Sequence, residues 1–389
     1  MNLFPLVKKV QIFLRTIKHV EYGSLRLQTP KGTTLNIRGK KPGPDAHIKI
    51  FEWRVIERVL ARGDIALGED YIDGKWVSEN IENLITFFLL NLDYFEKYAH
   101  GNVFSRSLFK LYNRFVRRNN KAGSRKNIKE HYDVGNNFYE LWLDKTMTYS
   151  SALFERQGYA LEDAQAAKYQ RILRHIGNEV SSLLEIGCGW GGFADVASQK
   201  IRDITCLTIS SEQYSYASER LKNKAEVLLK DYRDMKRKFD AIVSIEMFEA
   251  VGEKYWPIYF NTMALNLAKG GRAVVQTITV RDDLFDDYRE HSDFIRHYVF
   301  PGGMLPSIKR FHEEAAKANL RCVETFSFGQ DYAKTLREWL ERFDQRRDDI
   351  IALGYSESFI RNWRFYLGFC AAAFAVGRTN VVQIEMVHG

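Results

Sequence analysis

Glu185 stands two residues before a glycine-rich turn in which Gly187, Gly189, Gly191 and Gly192 fall close together. The apolar run LLEI leading into the turn has the length and composition of a buried strand, and GFADVASQ beyond it reads as a helix. Strand, glycine turn and helix together let a backbone approach a ligand closely, because glycine has no Cβ to hold it away. Missing features narrow the identity of that ligand. A dinucleotide site needs G-x-G-x-x-G and an acid about 20 residues later for the ribose hydroxyl. Here the spacing is G-x-G-x-G-G, and the second strand ends in Thr208-Ile209-Ser210 without an acid. No G-x-x-x-x-G-K-[ST] loop is present, which removes ATP chemistry of the P-loop kind. Cys188, Cys206, Cys322 and Cys370 lie far apart with no CxxC. They read as buried thiols in a reducing compartment, with neither a disulfide frame nor a zinc site.

These residues need a scaffold, and the chain beyond Val180 supplies one. Short apolar runs VSSLLEIG, DITCLTIS, AEVLLKDY, FDAIVSIEMF, GGRAVVQTITV, LRCVETFSF and TNVVQIEMV alternate with helical stretches GFADVASQ, SEQYSYASERLKNK and YWPIYFNTMALNLAK. Alternation of this kind predicts an α/β fold with a mostly parallel, doubly wound sheet. Two helical insertions, DDYREHSDFIRHYVFPGG onward and TLREWLERF through YLGFCAAAF, are expected to roof the site. Residues 1–100 read as a small α+β unit. It comprises an amphipathic basic helix, two strands about a Pro-Lys-Gly turn, a strand HIKIFEW and a helix FEWRVIERVLAR. GEDYIDGKW follows as a turn-rich link, and then a helix capped by Ser78 or Asn80. Residues 101–126 form a basic linker, and residues 127–389 the catalytic unit.

The E-I-G-C-G-W-G turn, the L-T-I-S strand end and the D-Y-R-D turn together resemble an S-adenosylmethionine methyltransferase. The resemblance then sharpens. HYDVGNNFYELWLDKTMTYSSALF, LEIGCGWGG, LTISSEQ, KDYRD, SIEMFEAVG, YVFPGGMLPS and DYAKTL occur in the order and spacing of the cyclopropane-fatty-acyl-phospholipid synthase family. That family includes the mycolic-acid cyclopropane synthases, and the match spans roughly residues 126–389. It implies a seven-stranded Rossmann-like sheet and transfer of a methyl group from S-adenosylmethionine to a cis double bond of an acyl chain. The resulting carbocation must lose a proton, and a strongly nucleophilic side chain would be alkylated by it. The family's base is a bound bicarbonate held by a glutamate, a histidine, a tyrosine and backbone groups. On this chain the glutamate falls on Glu249, the tyrosine on Tyr332 and the backbone groups on Ser151 and Ile245. The histidine position is Gln276, which can donate a hydrogen bond but cannot carry a proton. The resemblance places the cofactor against Tyr149, Ser150, Gly187, Gly189, Trp190, Thr208, Ile209, Gln213, Tyr232 and Arg233, with His131 opening the segment that closes over it.

Aromatics Phe294, Tyr298, Phe300, Trp339, Phe343, Trp363, Phe365, Tyr366 and Phe369 are candidates for an acyl tunnel, of which a minority are expected to line it. The net charge of +8 and pI near 9.1 suit an anionic partner. The basic tract from Arg106 to Lys129 fits a phospholipid bilayer, a nucleic acid or a solvated linker on charge alone. No nucleic-acid motif accompanies it. The N-terminal helix reads either as packed on its domain or as lying on a membrane surface. No apolar run reaches the roughly 20 residues of a membrane span. The expectation is a cytoplasmic enzyme, peripheral to the inner face of the membrane, that forms a cyclopropane on a phospholipid acyl chain; a homodimer is left open. Rival readings are a methylene or methyl-branched product with a reductase partner, and a lipid-binding protein with a degenerate site.

Overall fold

The computed structural model describes residues 4–92 and 134–389. The basic linker and His131 lie outside the described residues.

The N-terminal unit begins with helix α1 (Phe4–Thr16). A four-stranded sheet in the order β2-β1-β3-β4 follows, from β1 (Tyr22–Gln28), β2 (Thr34–Arg38), β3 (Lys41–Ile50) and β4 (Trp76–Val77). Between β3 and β4 runs α2 (Arg54–Ile72), and α3 (Ile81–Leu90) completes the unit. The stretch GEDYIDGKW is not a turn-rich link: its first half continues α2 to Ile72. Gly63 breaks the regular helix at φ 61° and ψ −139°. Beyond it Ile65, Ala66, Leu67 and Tyr71 present a new buried stripe, and this packing outweighs the glycine signals. Asn80, not Ser78, caps α3, its Oδ1 accepting from the Asn83 N–H at 2.9 Å. The buried Asn91 ties α3 to the sheet, accepting from the Glu21 and Tyr22 N–H groups and donating to the Tyr22 and Phe87 carbonyls.

The catalytic unit starts with the short α4 (Asn136–Glu140) and α5 (Leu161–Ile176). Then come β5 (Ser182–Ile186), α6 (Gly192–Ala197), β6 (Asp203–Thr208), α7 (Ser211–Arg220), β7 (Glu226–Leu229) and β8 (Phe239–Ile245). They are followed by α8 (Trp256–Asn266), β9 (Leu267–Val280), α9 (Ile308–Lys317), β10 (Leu320–Ser327), α10 (Gly329–Gln345), α11 (Glu357–Ala375) and β11 (Thr379–His388). The seven strands lie in the order β10-β11-β9-β8-β5-β6-β7. All pairs are parallel except those that β11 makes with β9 and β10. All seven apolar runs read from the sequence are strands, and β5 is buried on both faces, as a central parallel strand must be.

One boundary shifts. The sequence pattern carries α8 through Lys269, but the helix ends at Asn266, whose amide bonds the Arg237 N–H and the Met235 and Thr262 carbonyls. Leu267 then pairs with Phe239 and opens β9.

The two units share one core. Phe365 of α11 packs on Tyr71 and Trp76, with ring centroids 5.9 and 6.3 Å away. Gly68 of α2 lies against Phe294 and Phe365 so closely that a Cβ would clash with the Phe294 ring. Arg337 of α10 pairs with Glu82 of α3 through both carboxylate oxygens.

Candidate functional site

The glycine turn after β5 is held by the neighbouring strand, with the Gly187 and Cys188 N–H groups both donating to the Leu207 carbonyl at 2.9 Å. Gly187 has φ 82°, and a Cβ there would meet the Met247 side chain at 2.7 Å. Gly189, at φ 53°, has nothing within 4 Å of where a Cβ would be, so its open side faces free space. That space is a cavity of ≈ 1490 Å³. Tyr149, Ser150, Gly187, Gly189, Trp190, Thr208, Ile209, Gln213, Tyr232 and Arg233 all line it, as does Glu185. Where a dinucleotide fold has an acid, Ser210 caps α7, its Oγ accepting from the Gln213 N–H at 3.3 Å. Arg233 is held by Asp231 through Nε at 2.8 Å and Nη2 at 2.6 Å, which fixes the D-Y-R-D turn beside the cavity.

Of the residues expected at the reacting end, Glu249, Tyr332 and Ile245 line the same cavity. Glu249 sits on the single turn after β8, where open α/β sheets place ligands. Its Oε1 accepts from the Ile278 N–H at 2.5 Å and the Thr277 hydroxyl at 3.0 Å. Its Oε2 is buried without a hydrogen-bond partner. Burial and the charge of Glu246 push the Glu249 carboxyl up to about 8.

Gln276 and Ser151 are fully buried and reach the site through Glu246, a residue the sequence reading passed over. The Glu246 Oε1 accepts from the Ser151 N–H at 2.8 Å and from the Gln276 amide at 2.7 Å. Its Oε2 accepts from the Tyr332 hydroxyl at 2.7 Å. Three groups expected to grip a bicarbonate therefore converge on a carboxylate of the chain itself. Among the side chains expected to hold a bicarbonate, only Glu249 keeps a buried oxygen without a hydrogen-bond partner, so the side chains as arranged do not fit that ion. The readable signal was the paired departure of Gln276 and an acid at Glu246, one residue beyond the end of β8.

Lys168 is the second residue missed. It is fully buried on α5 and donates to the Ser150 Oγ at 2.6 Å. Burial brings its ammonium down to about 7, against the pull of Glu246, Asp144 and Glu185. It breaks an apolar stripe of Leu161, Ala164 and Ile172, which is the pattern that could have revealed it. Glu185 is likewise buried and pushed up to about 8 by desolvation.

Of the nine aromatics proposed for a tunnel, Phe300, Tyr366 and Phe369 line the cavity. Phe294, Trp339, Phe343, Trp363 and Phe365 are buried in packing, and the exposed Tyr298 bonds Glu69 at 2.7 Å. The apolar wall is shared: Ile295, Met304, Leu336 and Phe374 come from the catalytic unit, and Phe13, Ile50, Val59, Leu60, Phe88 and Leu89 from the N-terminal unit. One continuous space thus joins a glycine cradle, a group of buried carboxylates and a long apolar channel.

Residues 119–384 match the family described as mycolic acid cyclopropane synthetase. The chain belongs to that family. It is therefore an S-adenosylmethionine-dependent methyltransferase of the cyclopropane-fatty-acyl-phospholipid synthase class. It is 34% identical to the cyclopropane-fatty-acyl-phospholipid synthase of Escherichia coli K12, over 91% of this chain and 90% of that one. It is also 34% identical to the tuberculostearic acid methyltransferase UfaA1 of Mycobacterium tuberculosis, over 85% of this chain and 80% of that one. The crystal structure of mycolic acid cyclopropane synthase CmaA1 complexed with SAH and CTAB superposes with a TM-score of 0.63 at 31% identity. It covers 67% of this chain and 97% of CmaA1. The residues around Gly189 suit such a cofactor: an open glycine cradle and buried carboxyl groups on the same cavity wall, which would favour its positive charge.

Proposed function

We propose that this member of the family methylates the cis double bond of an unsaturated phospholipid acyl chain and converts it, most simply, to a cyclopropane. The observation that carries the reading is the single cavity running from the glycine cradle past Glu249, Glu246 and Tyr332 into the apolar channel of the N-terminal unit. S-adenosylmethionine, when bound, supplies an electrophilic methyl group. The chain's own residues do the rest. Gly187 and Gly189 let the backbone approach the cofactor, Tyr149 and Ser150 bound it on one side, and Tyr232 and Arg233 on the other. The apolar wall holds the acyl chain and excludes water that would quench a cation. Glu249 places a buried oxygen beside the reacting carbons, where it favours developing positive charge.

A methylene or methyl-branched product is the second reading. It is favoured by Gln276 in the usual histidine position and by the likeness to a tuberculostearic acid methyltransferase. We place the enzyme on the cytoplasmic face of the membrane, with the basic N-terminal helix toward anionic headgroups, so that a lipid chain enters between α1, α2 and α3. Among the described residues no helix is long and apolar enough to cross a membrane. The test incubates purified protein with S-adenosylmethionine and vesicles of unsaturated phosphatidylglycerol. Released fatty acids are then separated by chromatography and resolved by NMR, since cyclopropane and methylene products are isomers. A methylated acyl chain supports the proposal, and its absence sinks it.

A further inference from the structure

We infer that the Glu246 carboxylate is the general base of this enzyme, occupying with a side chain the place an external oxyanion would take. The inference rests on the methyl-transfer reading above and concerns the step after the methyl has reached the alkene. The C–H bond of the new methyl group breaks, its electron pair closes the ring onto the cationic carbon, and the proton passes to Oε2 of Glu246. Charge balances without a co-reactant: a cation and a carboxylate become a neutral lipid and a carboxylic acid.

The hydrogen bonds select the atom. Each carboxylate oxygen has two in-plane lone pairs. Oε1 is saturated by the Ser151 N–H and the Gln276 amide, whereas Oε2 receives only the Tyr332 hydroxyl. One lone pair of Oε2 is left, on a residue that lines the cavity. The three donors also hold the carboxylate in place and draw electron density from it, which lowers its tendency to be alkylated by the cation.

The amide of Gln276 cannot turn round, because its own oxygen accepts from the Gln383 Nε2 at 3.0 Å. Gln383 is oriented in turn by Arg171, which donates to its Oε1 at 2.9 Å. This chain of donors through β11 and β9 presents an N–H to Glu246 that does not titrate. A histidine there could carry a proton away from the base, so Gln276 and Glu246 form a matched pair. The backbone supports the same geometry: Glu246 adopts a left-handed φ of 49°, and its N–H is pinned to the Gln276 carbonyl at 2.8 Å.

The test uses the full chain, S-adenosylmethionine and unsaturated phospholipid vesicles. In buffer stripped of carbon dioxide the wild-type rate is expected to equal that with added bicarbonate. Glu246→Gln is expected to lose about 100-fold or more in turnover, within the range for a removed general base. Its S-adenosylmethionine affinity, measured by calorimetry, is expected to be retained. Glu246→Gly opens a hole bounded by the same donors, so formate or bicarbonate should restore part of its activity. Carbon-13-labelled bicarbonate should broaden on this variant and not on wild type. A wild-type rate that collapses without bicarbonate and returns with it overturns the inference while leaving the methyltransferase reading intact. So does an active Glu246→Gln. No methylated lipid from wild type under any condition overturns both.

Discussion

Glu249 and Glu185 are both buried acids on the cavity wall, yet a neutral isostere should affect them in opposite ways. Glu249 faces the reacting end, and its Oε2 has no partner within the protein. Glu249→Gln should keep S-adenosylmethionine binding within about threefold while turnover falls by ~100-fold, the scale of one lost electrostatic partner in a dry site. Isothermal titration and single-turnover assays separate the two. Glu185 lies on β5, where burial pushes its carboxyl up to about 8 from an ordinary 4.5. Between those values the folded chain holds a proton that the unfolded chain has lost. Wild-type stability therefore falls as pH rises through that window, and the loss is complete above the folded value. Glutamine ionises in neither state. The melting temperature of ligand-free Glu185→Gln should match wild type near pH 4.5 and exceed it increasingly toward pH 8. The gap grows by at most about 1.4 kcal/mol per pH unit. A constant gap would show that Glu185 is ionised when folded.

Elements decide which of these residues meet. The cofactor end was legible in the sequence because each of its parts is local: a glycine turn after one strand, a polar end on the next, and a D-Y-R-D turn after the third. The strands and their alternation with helices followed from apolar periodicity for the same reason. The reacting end was legible only in part: Glu249 and Tyr332 were read from their motifs, and Glu246 was not. Glu246 gathers donors that are 95, 30 and 86 residues away in sequence, on different elements. No local pattern encodes their convergence; only the pairing of β8 with β9 and the packing of α10 bring them together. The N-terminal contribution to the channel was missed likewise, because apolar residues of α2 and α3 read as ordinary core until α11 is seen beside them. The relay across the sheet can be tested alone. Gln383→Leu leaves Gln276 free to rotate its amide. Turnover should drop ~10-fold, about the worth of one hydrogen bond, while KM and cofactor affinity stay unchanged. An equal loss of cofactor affinity would mean that β11 supports the sheet and not the base.

At the scale of the molecule, Glu185, Glu246 and Glu249 line one cavity, and the buried Lys168 reaches its wall through the Ser150 hydroxyl. Burial raises all three acids above their ordinary values. A cationic ligand entering beside Glu185, whose carboxyl burial holds at about 8, lowers it again and drives its proton into solvent. Binding of S-adenosylmethionine near pH 7 should therefore release protons. Calorimetry repeated in buffers of different ionisation enthalpy reads the number, which should fall toward zero above pH 9, where Glu185 is already ionised. The shared core of the two units bears on a different matter. CmaA1 covers only 67% of this chain, so the family has members without an equivalent of the full N-terminal region. In the present chain, however, Phe365 and Gly368 of α11 are covered by Tyr71, Trp76 and Ile81. Long and short members are thus not related by simple addition of a module. Shortening this enzyme to the size of its smaller relatives calls for a redesigned α11 surface, since the cut would otherwise bare an adhesive, water-averse face and close one avenue of lipid entry at the same time.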